Sequence, residues 1–314
     1  MPFTKFLVCV LILAVTMGCD TKKNLYSHEG FVEVNGGRIW YRVSGAGDNT
    51  PLLVLHGGPS FPSYYLDPLQ QLSDERPVIF FDQLGCGRSD RITDTTLMTI
   101  NAHIDQIARL LQFLDVDEFY LYGHSWGSML GMDYYLRHGD DLKALVLSGP
   151  CLDAKRWVAD ADTLIAQLPD SSRIALQQGI AGIIEDSALY RSAMIAYMDT
   201  YSARNKPVSP SLDSSSVQMG VNVYVYMWGS NEFSATGTLK DYDRTADLGR
   251  VDVPTLYIAG EFDSARPSTV GYYQSLTPGS RLVVVPGAGH FISHDNPEPE
   301  IMAIRAFLSE MDKQ

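Results

Sequence analysis

Ser125, Asp263 and His290 have the types, order and neighbours that one chemistry requires, nucleophilic acyl transfer. Ser125 lies in Tyr122-Gly-His-Ser-Trp-Gly-Ser128, between the strand-like run EFYLY and the helix-like run MLGMDYYLRH. A strand-to-helix turn this tight strains the serine and exposes its Oγ, and side chains at Gly123 and Gly127 would collide with their surroundings. Gly-x-Ser-x-Gly alone is a weak signal, and an ordinary glycine-rich corner competes with it. A serine hydroxyl becomes nucleophilic when an imidazole takes its proton and a carboxylate orients that imidazole. Asp263 ends the run TLYIAGEFD and His290 follows RLVVVPGAG, so both stand at the ends of later strand-like runs. Singly, Asp263 also fits a cap for a helix after Pro267, and His290 an ordinary loop histidine. Together and in this order they form a triad, with His294 as the rival base.

Acyl transfer also needs donors for the oxyanion. His56-Gly-Gly-Pro59 follows the run PLLVL and resembles the loops that offer one backbone N–H, here from Gly58, while the N–H of Trp126 offers the other. A simple Gly-Pro turn is the alternative.

These residues need a scaffold that brings strand ends together. FVEV and IWYRV alternate around Asn35-Gly36-Gly37, a hairpin signal. PLLVLHG, PVIFFDQ and EFYLYGHS are short apolar runs bounded by turn residues, as in strands buried on both faces of a parallel sheet. Ile100, Ile104, Ile107, Ala108, Leu111 and Leu114 recur at helical spacing between the last two runs. LKALVLSGP, TLYIAGEFD and RLVVVPGAGH continue the strands, and PEPEIMAIRAFLSEM is an amphipathic closing helix. The alternation predicts a mostly parallel, doubly wound α/β sheet. It breaks between residues 152 and 248, where helix-like pieces, a Ser/Pro loop near Pro207–Ser216 and the aromatic stretch VYVYMWGSNEF predict a helical cap over the carboxyl edge of the sheet.

The spelling HGGP, then Asp82-Gln-Leu-Gly-Cys-Gly-Arg-Ser89, then GHSWGS resembles the proline iminopeptidase family of serine aminopeptidases, which have the α/β-hydrolase fold. Met227-Trp-Gly-Ser-Asn-Glu-Phe233 and Gly237-Thr-Leu-Lys-Asp241 are similar to the tricorn-interacting aminopeptidase branch. The resemblance implies a core of residues 30–151 and 249–314, a cap of residues 152–248, and catalysis by Ser125, Asp263 and His290. It also implies that Glu232, matching a cap carboxylate, binds the free amino terminus of a short peptide. An esterase, lactonase or amino-acid amidase using the same triad is the alternative. Two positions depart from the family pattern: Ser60 replaces the glycine that completes HGGPG, and Ser264 stands where that branch carries a second amine-binding glutamate, for which Glu261 or Glu185 are the substitutes available.

The chain's 314 residues carry a net charge of −13 with no Lys/Arg block, which argues against nucleic acid as a partner. Neither a metal motif nor a phosphate-cradling loop occurs, so no cofactor is expected. The N-terminus has Lys5, an apolar run from Phe6 to Val15, and Met17-Gly18-Cys19, a pattern resembling a bacterial lipoprotein signal. This predicts a signal at residues 1–18, lipidation at Cys19, a tether at 19–29, and a folded part in the cell envelope outside the cytoplasm, touching membrane only through its anchor; plain secretion and an uncleaved anchor are the alternatives, with the same topology. Cys86 and Cys151 remain for the folded part and are expected as free thiols.

Overall fold

The computed structural model describes residues 25–313, so the expected signal and the Cys19 lipidation site lie outside the described residues. Strands β1 (His28–Val34) and β2 (Gly37–Ser44) form the hairpin, and β3 (Leu52–Leu55), β4 (Val78–Phe81), β5 (Phe119–His124), β6 (Leu142–Ser148), β7 (Thr255–Gly260) and β8 (Arg281–Val285) complete one sheet. Its order is β1-β2-β4-β3-β5-β6-β7-β8. Pairing is antiparallel for β1–β2 and β2–β4 and parallel from β4 to β8.

The apolar runs are continuous because both faces of the sheet are covered. On β5, Phe119 and Leu121 join one core while Tyr120 and Tyr122 join the other, the period-2 alternation of a strand. Helices α1 (Ile100–Leu114) and α2 (Trp126–His138) supply Ile104, Ile107, Met129 and Leu130 to the first core. Thr99 caps α1 by accepting from Ala102 N–H.

Between β6 and β7 stand α3 (Ala154–Ile165), α4 (Asp170–Ile180), α5 (Ser187–Tyr201), α6 (Pro210–Val217) and α7 (Val221–Met227). Helices α3 to α5 share a separate apolar cluster that includes Leu164, Leu176, Tyr197 and Phe233. The expected Ser/Pro loop is corrected here: from Pro210 on it is helix α6. Ser209 Oγ accepts from Leu212 N–H, and Pro210 occupies the first turn, where its missing N–H has no intrahelical partner to lose.

Helix α8 (Pro267–Leu276) follows β7, α9 (Ile292–Asp295) is a single turn, and α10 (Pro297–Met311) closes the chain. The second core takes Ile301, Ile304, Phe307 and Leu308 from α10, and Tyr65, Leu66, Leu69 and Leu72 from a 3-10 run over Ser63–Asp74 that the sequence reading did not anticipate. Buried Arg76 anchors α10 through Asp312, with Nη2 to Oδ2 at 2.7 Å. Among the described residues no helix is long and apolar enough to cross a membrane.

Candidate active site

Every residue singled out for catalysis stands just beyond the carboxyl end of a parallel strand: the His56–Ser60 loop after β3, Ser125 after β5, Asp263 after β7 and His290 after β8. This is the edge at which open α/β sheets bind ligands.

Ser125 has φ 53° and ψ −119°, a strained conformation for a residue with a Cβ. Two close approaches enforce it. A methyl on Gly123 would overlap the carbonyl oxygen of Gly127, and one on Gly127 would overlap that of Leu55 on β3. The turn is closed by Ser125 N–H donating to Ser148 O at 3.0 Å and Ser128 Oγ donating to Ser125 O at 2.6 Å.

His290 Nδ1 lies 2.7 Å from Asp263 Oδ1, and both side chains are buried. Asp263 does not cap α8, whose N-cap is Arg266; it receives Ala265 N–H at 2.8 Å and holds the imidazole. Burial lowers the His290 pKa, but the Asp263 charge and hydrogen bond, with help from Glu232, more than offset this and leave it raised above 6.5. Gly149, one residue beyond Ser148, packs against the dyad: an added methyl would stand 3.0 Å from the His290 ring and 3.2 Å from Asp263 Oδ2. Ser125 and His290 line the same cavity of about 290 Å³. His294 is directed elsewhere, with Nε2 3.0 Å from Asn205 O.

The His56–Ser60 loop lies against the serine. A methyl on Gly57 would stand 3.2 Å from Ser125 Cβ, and Gly58 has φ +118°, which favours glycine. Trp126 opens α2, so its N–H belongs to the first turn and has no intrahelical acceptor. Gly58 and Trp126 meet Ser125 around a narrow second cleft, together with Pro59, Met129, Cys151, Trp157, Trp228 and Glu232. Ser60 has φ +63°, the left-handed region, which gives a backbone reason for glycine in the family pattern at this position. Gln83 fixes the loop: its N–H donates to His56 Nε2 at 2.9 Å, and its Oε1 accepts from Trp126 Nε1 at 2.8 Å.

Glu232 lines both cavities, so the site brings it together with Ser125 and with His290. Its Oε2 accepts from Tyr224 O–H at 2.6 Å, and Trp157 Nε1 donates to its carbonyl oxygen at 3.2 Å. Burial raises its pKa, an effect opposed by the Tyr224 hydrogen bond and the His290 charge. The rest of the larger cavity is mainly apolar, with Met194, Met198 and Met219 from the cap facing Phe61 and Phe291. Ser264 is buried and places its Oγ 3.4 Å from that of Ser202. The two candidate replacements for a second carboxylate do not reach the site: Glu261 is exposed and accepts Gly287 N–H at 2.8 Å, and Glu185 is exposed in the turn after α4. Cys86 and Cys151 are free and buried. Among the described residues no group of three or more His, Cys, Asp or Glu is placed to hold a metal.

Sequence reasoning passed over Tyr65, Gln83, Tyr224 and Trp157. Gln83 lies in a quoted motif, whereas Tyr65 carries no local signal.

A strained serine at the end of a central parallel strand, a buried Asp–His pair on later strand ends and a glycine loop against the serine define an α/β-hydrolase. The alpha/beta hydrolase fold family matches residues 50–297. A proline iminopeptidase of Heyndrickxia coagulans is 35% identical over 285 residues, covering 90% of this chain and 99% of that one. The crystal structure of a Mycobacterium smegmatis proline iminopeptidase superposes with a TM-score of 0.84 at 31% identity, covering 91% of this chain and 99% of the other. The crystal structure of VinJ gives 0.86 at 30% identity, covering 90% and 99%. The chain belongs to the proline iminopeptidase family of α/β-hydrolases.

Proposed function

We propose that this chain is a serine aminopeptidase that releases N-terminal residues, proline among them, from short free-amine peptides. The observation that carries the reading is the Glu232 carboxylate in the cavity shared by Ser125 and His290. An exopeptidase must recognise an ammonium, and a desolvated carboxylate favours the charged amine while rejecting blocked peptides. An esterase substrate offers no ammonium for that carboxylate to pair with in a mainly apolar cavity.

In the first step His290 takes the Ser125 Oγ proton as Oγ attacks the scissile carbonyl, and Asp263 supports the imidazolium. The N–H groups of Gly58 and Trp126 receive the oxyanion, each donor contributing roughly 10²–10³ in rate. Collapse breaks the C–N bond, with His290 returning the proton to the leaving amine. Water activated by His290 then hydrolyses the acyl-enzyme. Neither step requires a metal or cofactor.

The N-terminal pattern Lys5, Phe6–Val15 and Met17-Gly18-Cys19 supports export and lipidation at Cys19, and with them a bacterial cell envelope as the site of this activity. Incorporation of labelled palmitate, lost in Cys19→Ala, tests the anchor. Turnover of Pro-, Ala- and Phe-p-nitroanilides with rejection of their N-acetyl forms tests the activity. Equal turnover of free and acetylated substrates would remove the exopeptidase reading.

A further inference from the structure

His124 and Tyr65 are buried polar residues beside the serine that the proposed reaction steps do not use. Gly57 N–H donates to Tyr65 Oη at 2.8 Å, and Tyr65 Oη lies 2.7 Å from His124 Nδ1. His124 Nε2 lies 2.8 Å from the carbonyl oxygen of His290. The direction of this chain is fixed by its ends. A carbonyl can only accept, so Nε2 carries the proton; Nδ1 is then a bare lone pair and Tyr65 must donate to it. One tautomer satisfies every atom.

We propose that His124 and Tyr65 are positioning residues that tie the backbone of the base to the loop offering the Gly58 N–H, through the residue preceding the nucleophile. The proposal rests on the serine-hydrolase reading of the site. The backbone N–H of His290 donates to Tyr201 O at 2.9 Å, at the end of cap helix α5, so the amide is held from the cap and the carbonyl by His124. Both backbone polar groups of the base are thereby fixed by different elements.

The His124 and His290 ring centroids are 4.6 Å apart, too close for both to be charged at little cost. Burial and the neighbouring His290 hold the His124 pKa well below its usual value. His290 has a carboxylate partner and His124 has none among its hydrogen bonds, so the proton from Ser125 goes to the correct ring.

Two substitutions separate the two bonds of His124. His124→Gln can present an N–H where Nε2 stood; His124→Asn can accept near Nδ1 but is too short to reach the His290 carbonyl. Tyr65→Phe removes the hydroxyl alone. Turnover of prolyl p-nitroanilide is measured per active site, with sites counted by fluorophosphonate titration so that misfolded protein drops out. The expected result for His124→Asn is a fall in kcat of roughly 10–100-fold per titrated site with KM within about twofold, the scale of a small positioning error. His124→Gln keeps the bond to the His290 carbonyl but breaks the Tyr65 bond, so it falls about as far as Tyr65→Phe, and both fall less than His124→Asn. Wild-type kcat per site in His124→Asn, or equal losses in the Gln and Asn variants, would overturn the proposal. If wild type reacts with fluorophosphonate but does not cleave prolyl anilide, the aminopeptidase reading fails instead, and the same comparison is made on a p-nitrophenyl ester.

Discussion

Glu232→Gln isolates the charge that the exopeptidase reading requires. The amide has nearly the shape of the acid, and its Oε can still accept from Tyr224 O–H, which now binds Glu232 at 2.6 Å. What disappears is the negative charge that the exopeptidase reading sets against a substrate ammonium, in a cavity also lined by Met194, Met198, Phe61 and Phe291. Losing one partner of a desolvated charge pair costs about 2–5 kcal/mol. Glu232 keeps some solvent exposure, so a value near the middle, about 3 kcal/mol, applies, or roughly 10²-fold in kcat/KM at about 1.4 kcal/mol per decade. The assay compares prolyl p-nitroanilide with cyclopentanecarbonyl p-nitroanilide, which keeps the ring and lacks the amine. Wild type should prefer the prolyl substrate by about that factor, and the variant should lose the preference by slowing on the prolyl substrate alone. Stability moves the other way. Burial raises the folded pKa of Glu232 above 4.5, so the folded state binds more protons than the unfolded one between the two values, and stability falls as pH rises through that window. Glutamine does not ionise, so the variant should melt higher than wild type at neutral pH. Equal slowing on both anilides, or an unchanged substrate ratio, would refute the reasoning.

His290→Ala should lose activity to the level of Ser125→Ala while His294→Ala stays near wild type, because His294 Nε2 is engaged with Asn205 O at 3.0 Å; kcat on prolyl anilide checks both. Asp263→Asn should reduce kcat by about 10⁴-fold through the wrong imidazole tautomer. In wild type the acid limb of kcat/KM should lie above pH 6.5, since His290 must lose its proton to act as base; in Asp263→Asn burial is left with little opposition and the limb should move toward acid, as read from the pH profile. Glu300, fully buried on α10, accepts from Tyr122, Ser148 and Ser293 hydroxyls at 2.7, 2.8 and 2.5 Å. Glu300→Ala removes the shared acceptor of those hydroxyls and should cost about 3 kcal/mol, a fall in Tm of roughly 5 °C by calorimetry.

The catalytic candidates were legible because each is tied to a local backbone demand. Gly123 and Gly127 mark the one way a chain can turn from β5 into α2 with no intervening loop, and β7 and β8 announce Asp263 and His290 by ending in turn residues. The strands were legible because a sheet buried on both faces writes continuous apolar runs. Tyr65 was illegible for the opposite reason. Its run over Ser63–Asp74 is a 3-10 stretch with Pro68 inside, so it shows neither a clean helical nor a strand period, and its value comes from meeting His124 across 59 residues of sequence. The α6 segment was misjudged because Ser and Pro signal a loop by composition but a helix start by position, and only the Ser209-Pro210 order distinguishes them. Glu232 became visible through a motif, yet its Tyr224 partner and its place beside His290 depend on how the cap sits.

That placement couples recognition to chemistry. The Glu232 charge is one of the influences that raise the His290 pKa, so in the free enzyme it favours the protonated form of the base. A substrate ammonium bound against Glu232, as proposed, would neutralise that charge, and the His290 pKa would then fall toward the level set by burial and Asp263. On the proposed reading the amine that identifies a substrate would therefore also release the base to act, whereas a blocked peptide would leave His290 more fully protonated. The pKa seen in kcat, which reports the bound enzyme, should lie below that seen in kcat/KM, which reports the free enzyme. In Glu232→Gln the two should converge, because no charge remains for the substrate to neutralise. Coincident wild-type values would separate the two roles and leave Glu232 a recognition group only.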